Sequence, residues 1–122
     1  MILPDSNIVI YSLEPEHDAL RHKLNQQTLA ANWIVVVEVI GWPKLTRREE
    51  QLFRDLFSQS IMLELNPTIF EKTIQLRRTL SIEVPDALIA ATAICNDIEL
   101  WTANTEDFKN IRGLKISNPL LM

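Results

Sequence analysis

The sequence is poor in the residues that several common binding motifs require. Only two glycines occur, Gly41 and Gly113, so the chain holds neither a Walker A loop nor a G-x-G-x-x-G dinucleotide turn. Cys95 is the single cysteine, which excludes an internal disulfide and a multi-cysteine zinc site and suits a reducing compartment. The histidines, His17 and His22, form no H-E-x-x-H motif, so a zincin is excluded and we interpret both as surface residues.

Long apolar runs and an excess of basic charge are also missing. A run such as residues 33–37 is too short to cross a bilayer, and the N-terminus lacks the basic flank and long apolar stretch of a signal peptide. We therefore expect a cytoplasmic protein with no membrane partner. The 12 basic and 16 acidic residues give a net charge of −4, which argues against a protein that coats nucleic acid broadly. A length of 122 residues predicts a single domain over residues 1–122.

Hydrophobic periodicity and chain breakers predict short strands that alternate with longer helices. The predicted strands cover residues 2–3, 33–36, 61–65, 99–102 and 114–116. The predicted helices cover residues 7–13, 15–27, 38–45, 46–57, 67–80 and 85–95. Residues 33–36 are β-branched and apolar on both faces, which is typical of a buried parallel strand. This alternation predicts an α/β fold in which helices cover both faces of a central, mostly parallel, twisted sheet.

Carboxylate and amide side chains stand where the predicted strands end. Asp5 follows the first strand, and Glu38 follows the second, where it interrupts an apolar segment. Asn104 and Asp107 follow the strand at 99–102. Ligands of parallel α/β sheets collect outside the carboxyl ends of the strands, so we expect these side chains to lie at one edge.

A further carboxylate, Asp86, lies on the packing face of the helix predicted at 85–95. The three-four spacing places it on the same face as Ile89, Ala90 and Ala93. A buried carboxylate costs several kcal/mol when it is left unpaired. A cation is therefore expected beside it.

The partner of these acids is predicted to be a divalent cation or a basic residue distant in sequence. No lysine or arginine lies within three residues of Asp5, Glu38 or Asp86, which favours the divalent cation. Carboxylate ligands favour a hard cation such as Mg²⁺ or Mn²⁺, which activates water and neutralises charge on a phosphodiester. A structural interpretation stays open for each acid except Glu38: Asp5 and Asp107 can begin helices, and Asp86 suits a first helical turn.

Four segments carry a family resemblance: ILPDSNIVI at 2–10, VEVIG at 37–41, PDALIAATA at 85–93 and LWTANTEDF at 100–108. With GLKI and NP near the end of the chain, they resemble the PIN domains, and most closely the VapC-type toxins of bacterial toxin–antitoxin pairs. PDALIAATA is the most specific of these segments. Asn104 departs from the pattern because some relatives carry the fourth acid there. Pro4 stands where relatives have an apolar residue, and we expect the first strand to end at it, since proline donates no ladder hydrogen bond.

The resemblance implies a PIN-like three-layer fold and an Mg²⁺- or Mn²⁺-dependent endoribonuclease. It also implies a cognate antitoxin that blocks the site and a homodimer. The implied catalytic and metal-holding residues are Asp5, Glu38, Asp86 and Asp107, with Asn104 as a neutral ligand or water holder. Ser6 and Asn7 would support Asp5 from behind. Basic residues that either contact RNA phosphates or form solvated helix faces are Lys44, Arg47, Arg48, Arg77 and Arg78.

Two other functions use the same sequence features. A catalytically silent PIN-type module would bind RNA or protein without cutting, although the intact set of acids speaks against it. A phosphatase or a DNA-directed nuclease would use the same metal chemistry, and only the family resemblance argues for RNA. Among the tryptophans, Trp33 and Trp101 are predicted to pack in the core, and Trp42 is a candidate subunit or antitoxin contact.

Overall fold

Five short parallel strands lie at the centre of the fold in a computed structural model that describes residues 1–122. The strands are β1 (Ile2–Pro4), β2 (Ala30–Ala31), β3 (Ile61–Met62), β4 (Glu99–Trp101) and β5 (Ile116–Ser117). The helices are α1 (Ser6–Tyr11), α2 (Asp18–Asn25), α3 (Trp33–Ile40), α4 (Arg47–Ser58), α5 (Pro67–Thr79), α6 (Val84–Asn96) and α7 (Thr105–Phe108). Single 3₁₀ turns lie at Pro15–His17 and Pro119–Leu121. The predicted α/β fold with a parallel sheet is confirmed.

The strand order brings the ends of β1 and β4 together. β1, β4 and β5 form one sheet, β2 and β3 form a second, and a parallel bridge between Ile2 and Leu29 links the two. Pro4 pairs with Trp101 at the end of the β1–β4 ladder, and β1 ends at this proline as expected. Because the strands are parallel, the residues that follow Pro4 and Trp101 enter the same edge of the sheet.

The helices pack around this sheet through two apolar clusters. The larger cluster has 19 buried residues, and α6 contributes to it through the predicted face of Ile89, Ala90 and Ala93. The small alanines let α6 approach α5 closely. The smaller cluster consists of Ile2, Ile8, Leu20, Leu24 and Trp101. None of the helices is long and apolar enough to span a bilayer.

The prediction of a buried strand at residues 33–36 is wrong, because this segment is the start of α3. The Asn32 side chain accepts a hydrogen bond from the Val35 N–H at 3.0 Å and caps the helix. Val35 and Val39, four residues apart, face the core, whereas Trp33 is 56% exposed rather than buried. A short apolar run fits both a buried strand and a helix, so periodicity alone could not separate them. The strand lies just before, at Ala30–Ala31.

Other predicted elements differ in their bounds. The helix predicted at 38–45 does not form as such, since α3 ends at Ile40 and a turn leads to α4. The segment 15–27 divides into a 3₁₀ turn and α2. The capping box of Thr46 and Glu49 is confirmed, as is Pro67 in the first turn of α5. The four-residue α7 is an additional helix, and Asp107 is the one sequence signal for a helix there.

Candidate metal centre

Asp5 lies between β1 and α1 and makes hydrogen bonds that stabilise the ends of both elements. Its backbone N–H donates to the Trp101 carbonyl at 2.9 Å, which extends the ladder between β1 and β4. One carboxylate oxygen caps α1 by accepting the Ile8 N–H at 3.0 Å. Burial raises the pKa of the Asp5 carboxyl, and hydrogen bonds from the Thr102 side chain and the Ile8 and Asn7 backbones oppose that rise. Asp5 is therefore a desolvated carboxyl group whose position is fixed by the chain around it.

Thr102 connects Asp5 to the segment that follows β4. Its side chain is fully buried and hydrogen-bonds the Asp5 carboxylate. The same hydroxyl oxygen accepts the Asn104 N–H at 3.0 Å. One buried hydroxyl thus fixes both Asp5 and the backbone of Asn104 at the edge of the sheet.

Asp86 enters the same edge from the first turn of α6 and is half-buried. Burial is the largest cause that raises the pKa of its carboxyl group. The negative charges of Glu38, Asp107, Asp5 and Glu83 raise that pKa further, in that order. Glu38, Asp107 and Asp5 therefore lie near enough to Asp86 for their charges to act on it.

Glu38 reaches this group from α3 and not from the end of a strand. It lies on the solvent side of the helix, next to the buried Val39. The prediction that it interrupts a buried apolar segment is wrong, because the helical period turns it away from the core. Its charge nevertheless acts on Asp86 more than that of any other acid.

Asn104 and Asp107 form a unit at the start of α7. The Asn104 amide donates to the Asp107 carboxylate, and the Asp107 N–H donates to the Asn104 carbonyl at 3.2 Å. Both side chains are exposed. Asp107 thus lies in the first turn of the short helix and also adds its charge to the field at Asp86.

No cation of the chain neutralises these acids. The five ion pairs of the molecule involve the acids Glu14, Asp18, Glu50, Glu106 and Asp97, and none of the four predicted site residues. A half-buried carboxylate such as Asp86, whose pKa is raised by neighbouring negative charges and which lacks an ion-pair partner, destabilises the fold unless a cation binds. Carboxylate and amide oxygens without thiol or imidazole fit a hard divalent cation.

The carboxylate oxygens of these acids lie farther apart than the oxygens of three carboxylates that all bind one ion directly. The one group of three whose ligand atoms lie within 4.8 Å of one another is Glu14, Glu16 and His17. Mg²⁺ keeps several of its waters in protein sites, so the wider spacing at Asp86 suits an ion that some of these acids hold through a water. At the other group, Glu14 is an ion-pair partner of His17 at 3.5 Å, and we assign no resident metal there.

The remaining predicted residues form no ion pair with the acids. The backbone N–H of Asn7 donates a hydrogen bond to the Asp5 carboxylate, and the Asn7 side chain is exposed. The Ser6 side chain makes no hydrogen bond. Arg77 donates to the Ile82 carbonyl at 2.7 Å in the turn that leads to α6. The other basic candidates are exposed and make no ion pair: Lys44, Arg47, Arg48 and Arg78.

Sequence reasoning missed two residues at this centre. Glu83 lies three residues before Asp86, at the N-cap of α6, and its charge raises the pKa of Asp86. The short spacing between Glu83 and Asp86 in the sequence could have identified Glu83 as a neighbour of Asp86. Thr102 follows β4 directly, and a polar residue at a strand end is the same signal that identified Asp5.

Residues 2–114 of the chain match the family model described as PIN domain. A chain of a toxin–antitoxin complex from Klebsiella pneumoniae is 30% identical, with a TM-score of 0.82 over 98% of each chain. A VapBC2 structure from Rickettsia felis, bound to a DNA fragment from their promoter, is similar at 24% identity and a TM-score of 0.83 over 97% of this chain and 98% of that one. VapBC-1 from nontypeable Haemophilus influenzae is similar at 24% identity and a TM-score of 0.80 over 98% and 99%. None of the curated proteins matches the chain.

Proposed function

This chain belongs to the PIN domain family, and we propose that it is an Mg²⁺- or Mn²⁺-dependent endoribonuclease that acts as a toxin of the VapC type. PIN domains are generally nucleases that use divalent cations, and the chain resembles one from a toxin–antitoxin complex. Cleavage of RNA, the dependence on the metal and the roles of the individual acids are the parts that we propose.

One observation supports this proposal most directly. Asp5, Glu38, Asp86 and Asp107 form a negative field, and none of them is paired with a basic side chain. A protein that only binds a partner gains nothing from this arrangement, because unpaired and partly buried charge lowers stability. A cation-binding centre requires it.

We assign the cation to Asp5, Glu38, Asp86 and Asp107, with Asn104 as a neutral ligand or as a donor that orients Asp107. When bound, the cation activates a water and neutralises the charge that develops on a scissile phosphodiester. Thr102 and the start of α1 hold the Asp5 carboxylate in place, which reduces the reorganisation that ligand binding requires.

Five exposed basic residues are proposed to bind the RNA backbone. Lys44, Arg47 and Arg48 follow α3, which carries Glu38, and they have no ion-pair partner to displace. Arg77 and Arg78 end α5, next to the segment that leads to Asp86. Such residues attract phosphates to an acidic centre that would otherwise repel them.

We also propose a cognate antitoxin and a homodimer as partners. The similar chains come from complexes named as toxin–antitoxin or VapBC. Exposed apolar side chains give partners a surface to cover, since Trp33 and Val37 are four residues apart on α3 and Phe70 and Ile74 are four residues apart on α5. Trp42 is exposed in the turn after α3, which suits the predicted partner contact.

Expression in a bacterial host tests the toxin proposal. The wild-type chain should arrest growth, whereas Asp86→Asn should not, and co-expression of the neighbouring open reading frame should restore growth. Purified wild type should cut RNA in Mg²⁺ or Mn²⁺ and not in a chelator. Equal growth arrest by wild type and Asp86→Asn would contradict a role for the acids, and purified protein that binds RNA without cutting it would favour the silent binding module.

A further inference from the structure

A small cavity opens beside the acids, on the side of Asp5 and Asn104. Its volume is about 310 Å³, and its walls are formed by Asp5, Asn7, Tyr11, Ala103 and Asn104. Ligand pockets begin at about 300 Å³, so this space suits a ligand the size of one nucleotide residue and not a longer segment. A group seated here lies directly against two residues of the proposed metal centre.

Tyr11 supplies the aromatic wall of this cavity. It is the last residue of α1 and packs against the smaller apolar cluster, which holds its ring in place. The His17 ring lies 5.6 Å from the Tyr11 ring, with an angle of 40° between the planes, and Glu14 pairs with His17 at 3.5 Å. The Tyr11 ring is thus supported by the core and by His17 and remains half-exposed.

The polarity of the walls restricts the ligand. None of the five lining residues is a cation and one is a carboxylate, so the cavity repels a phosphate. The side chains of Asn7 and Asn104 are exposed amides that can donate to and accept from a polar edge. The Tyr11 hydroxyl makes no hydrogen bond within the chain, and no buried side-chain polar atom lacks a partner, so this hydroxyl also faces solvent. An aromatic face with flexible polar groups is the chemistry that recognises a nucleobase.

We propose that this cavity binds the nucleobase next to the scissile phosphate of a single-stranded RNA, with Tyr11 as the ring on which the base stacks. The inference rests on the proposed function, because the position of the cavity against Asp5 gives the base its place in the substrate. Tyr11 is a positioning residue that sets which nucleotide enters, while the phosphate lies at the acids. Ala103, another residue of the lining, leaves room for the base because its side chain is small.

Base stacking has a spectroscopic signature that a purely structural tyrosine would not give. The probe is a short, uridine-rich, single-stranded RNA that contains one 2-aminopurine, whose fluorescence falls when it stacks. It is titrated with the full chain carrying Asp86→Asn so that the RNA stays intact. We expect quenching when 2-aminopurine occupies one position of the RNA. Adding Tyr11→Leu should remove that quenching and weaken binding roughly tenfold, whereas Tyr11→Phe should retain both.

Two further variants keep the test decisive. Ala103→Leu adds bulk to the cavity lining and leaves the Tyr11 ring unchanged, so it should also remove the quenching and serves if Tyr11→Leu proves unstable. Trp33→Leu removes an exposed ring outside the cavity and should leave the quenching unchanged.

The inference is overturned if no position is quenched, or if Tyr11→Leu and Ala103→Leu quench like the parent chain. Cleavage of RNA by the wild type with unaffected binding in Tyr11→Leu would refute only the base site. Quenching that depends on Tyr11 without any cleavage would refute only the nuclease.

Discussion

The buried Thr102 side chain hydrogen-bonds the Asp5 carboxylate and, through the same oxygen, accepts the Asn104 N–H at 3.0 Å. This contact joins the ends of β1 and β4 and fixes two proposed metal ligands relative to each other. A metal centre needs such support because carboxylates that repel one another do not hold their positions unaided. The contact makes the stability of the fold and the affinity of the site depend on one hydroxyl group.

Thr102→Val tests this contact with little change of shape. The variant leaves the Asn104 N–H without its partner and should lose about 1–3 kcal/mol in the free energy of unfolding. Its affinity for Mn²⁺ should fall about 10–100-fold, the usual cost of removing a support for a metal ligand. Calorimetric titration with Mn²⁺ measures this change. Thr92→Val is the matched control, since Thr92 is equally buried but hydrogen-bonds Leu88 and Asn32, and its Mn²⁺ affinity should not change.

Asp86 gives the metal-free protein an unusual pH dependence. Burial and the charges of neighbouring acids raise the pKa of Asp86 above its ordinary value of 3.8. The folded state therefore binds this proton more tightly than the unfolded state. The free energy of unfolding should rise as the pH falls through the raised pKa and level off below 3.8. Asp86→Asn removes this contribution, so in a chelator it should melt above wild type at about pH 7 and show a weaker rise on acidification. A variant that melts below wild type at neutral pH would contradict the account.

Added Mn²⁺ should reverse this order, because the cation compensates the acids only in the wild type. At a concentration about 100 times its Kd, Mn²⁺ adds about 2.7 kcal/mol to the free energy of unfolding, or on the order of 10 °C in Tm. Asp86→Asn should lose most of this shift. His17→Gln alters the group of Glu14, Glu16 and His17 and should keep it. Loss of the shift in His17→Gln alone would move the metal site to that turn.

The basic residues after α3 should determine the salt dependence of RNA binding. Each phosphate contact to a single strand contributes about 0.7 to the slope of log K against log salt. Replacing both Arg47 and Arg48 with Gln should therefore reduce that slope by about 1.4 in filter-binding titrations. Arg54→Gln is the control, since Arg54 is already paired with Glu50 at 2.7 Å. Equal slopes for the two variants would assign Arg47 and Arg48 to a solvated face.

The acids singled out in the sequence lie around Asp86 in the structure, although the element predicted to precede Glu38 is wrong. Asp5 and Asp86 were predictable because each follows a proline that marks the boundary of an element. Pro4 ends β1, and Pro85 lies in the first turn of α6. Glu38 was predicted from a wrong element, since a run of valines is equally apolar on a strand and on the inner face of α3.

Contacts between segments distant in sequence could not be predicted. The support that Thr102 gives to Asp5 depends on the pairing of β1 with β4, which local periodicity does not specify. The contact between the His17 and Tyr11 rings depends on the angle between α1 and the next turn. The sequence alone therefore indicated only that His17 is a surface residue. The half-buried position of His17 follows from that turn.

The unpaired acids are proposed to bind a divalent cation with which the chain cuts RNA. The direct measurement is the rate of RNA cleavage against Mn²⁺ concentration for wild type, Asp86→Asn and Asp97→Asn. Asp97 is the C-cap of α6, at the opposite end of the helix from Asp86, and has a left-handed backbone conformation that asparagine tolerates. Asp97→Asn therefore makes the same chemical change away from the site. The account predicts cleavage that saturates with Mn²⁺ in wild type and Asp97→Asn and that is absent in Asp86→Asn. Cleavage by Asp86→Asn at the wild-type rate, or cleavage in a chelator, would contradict it.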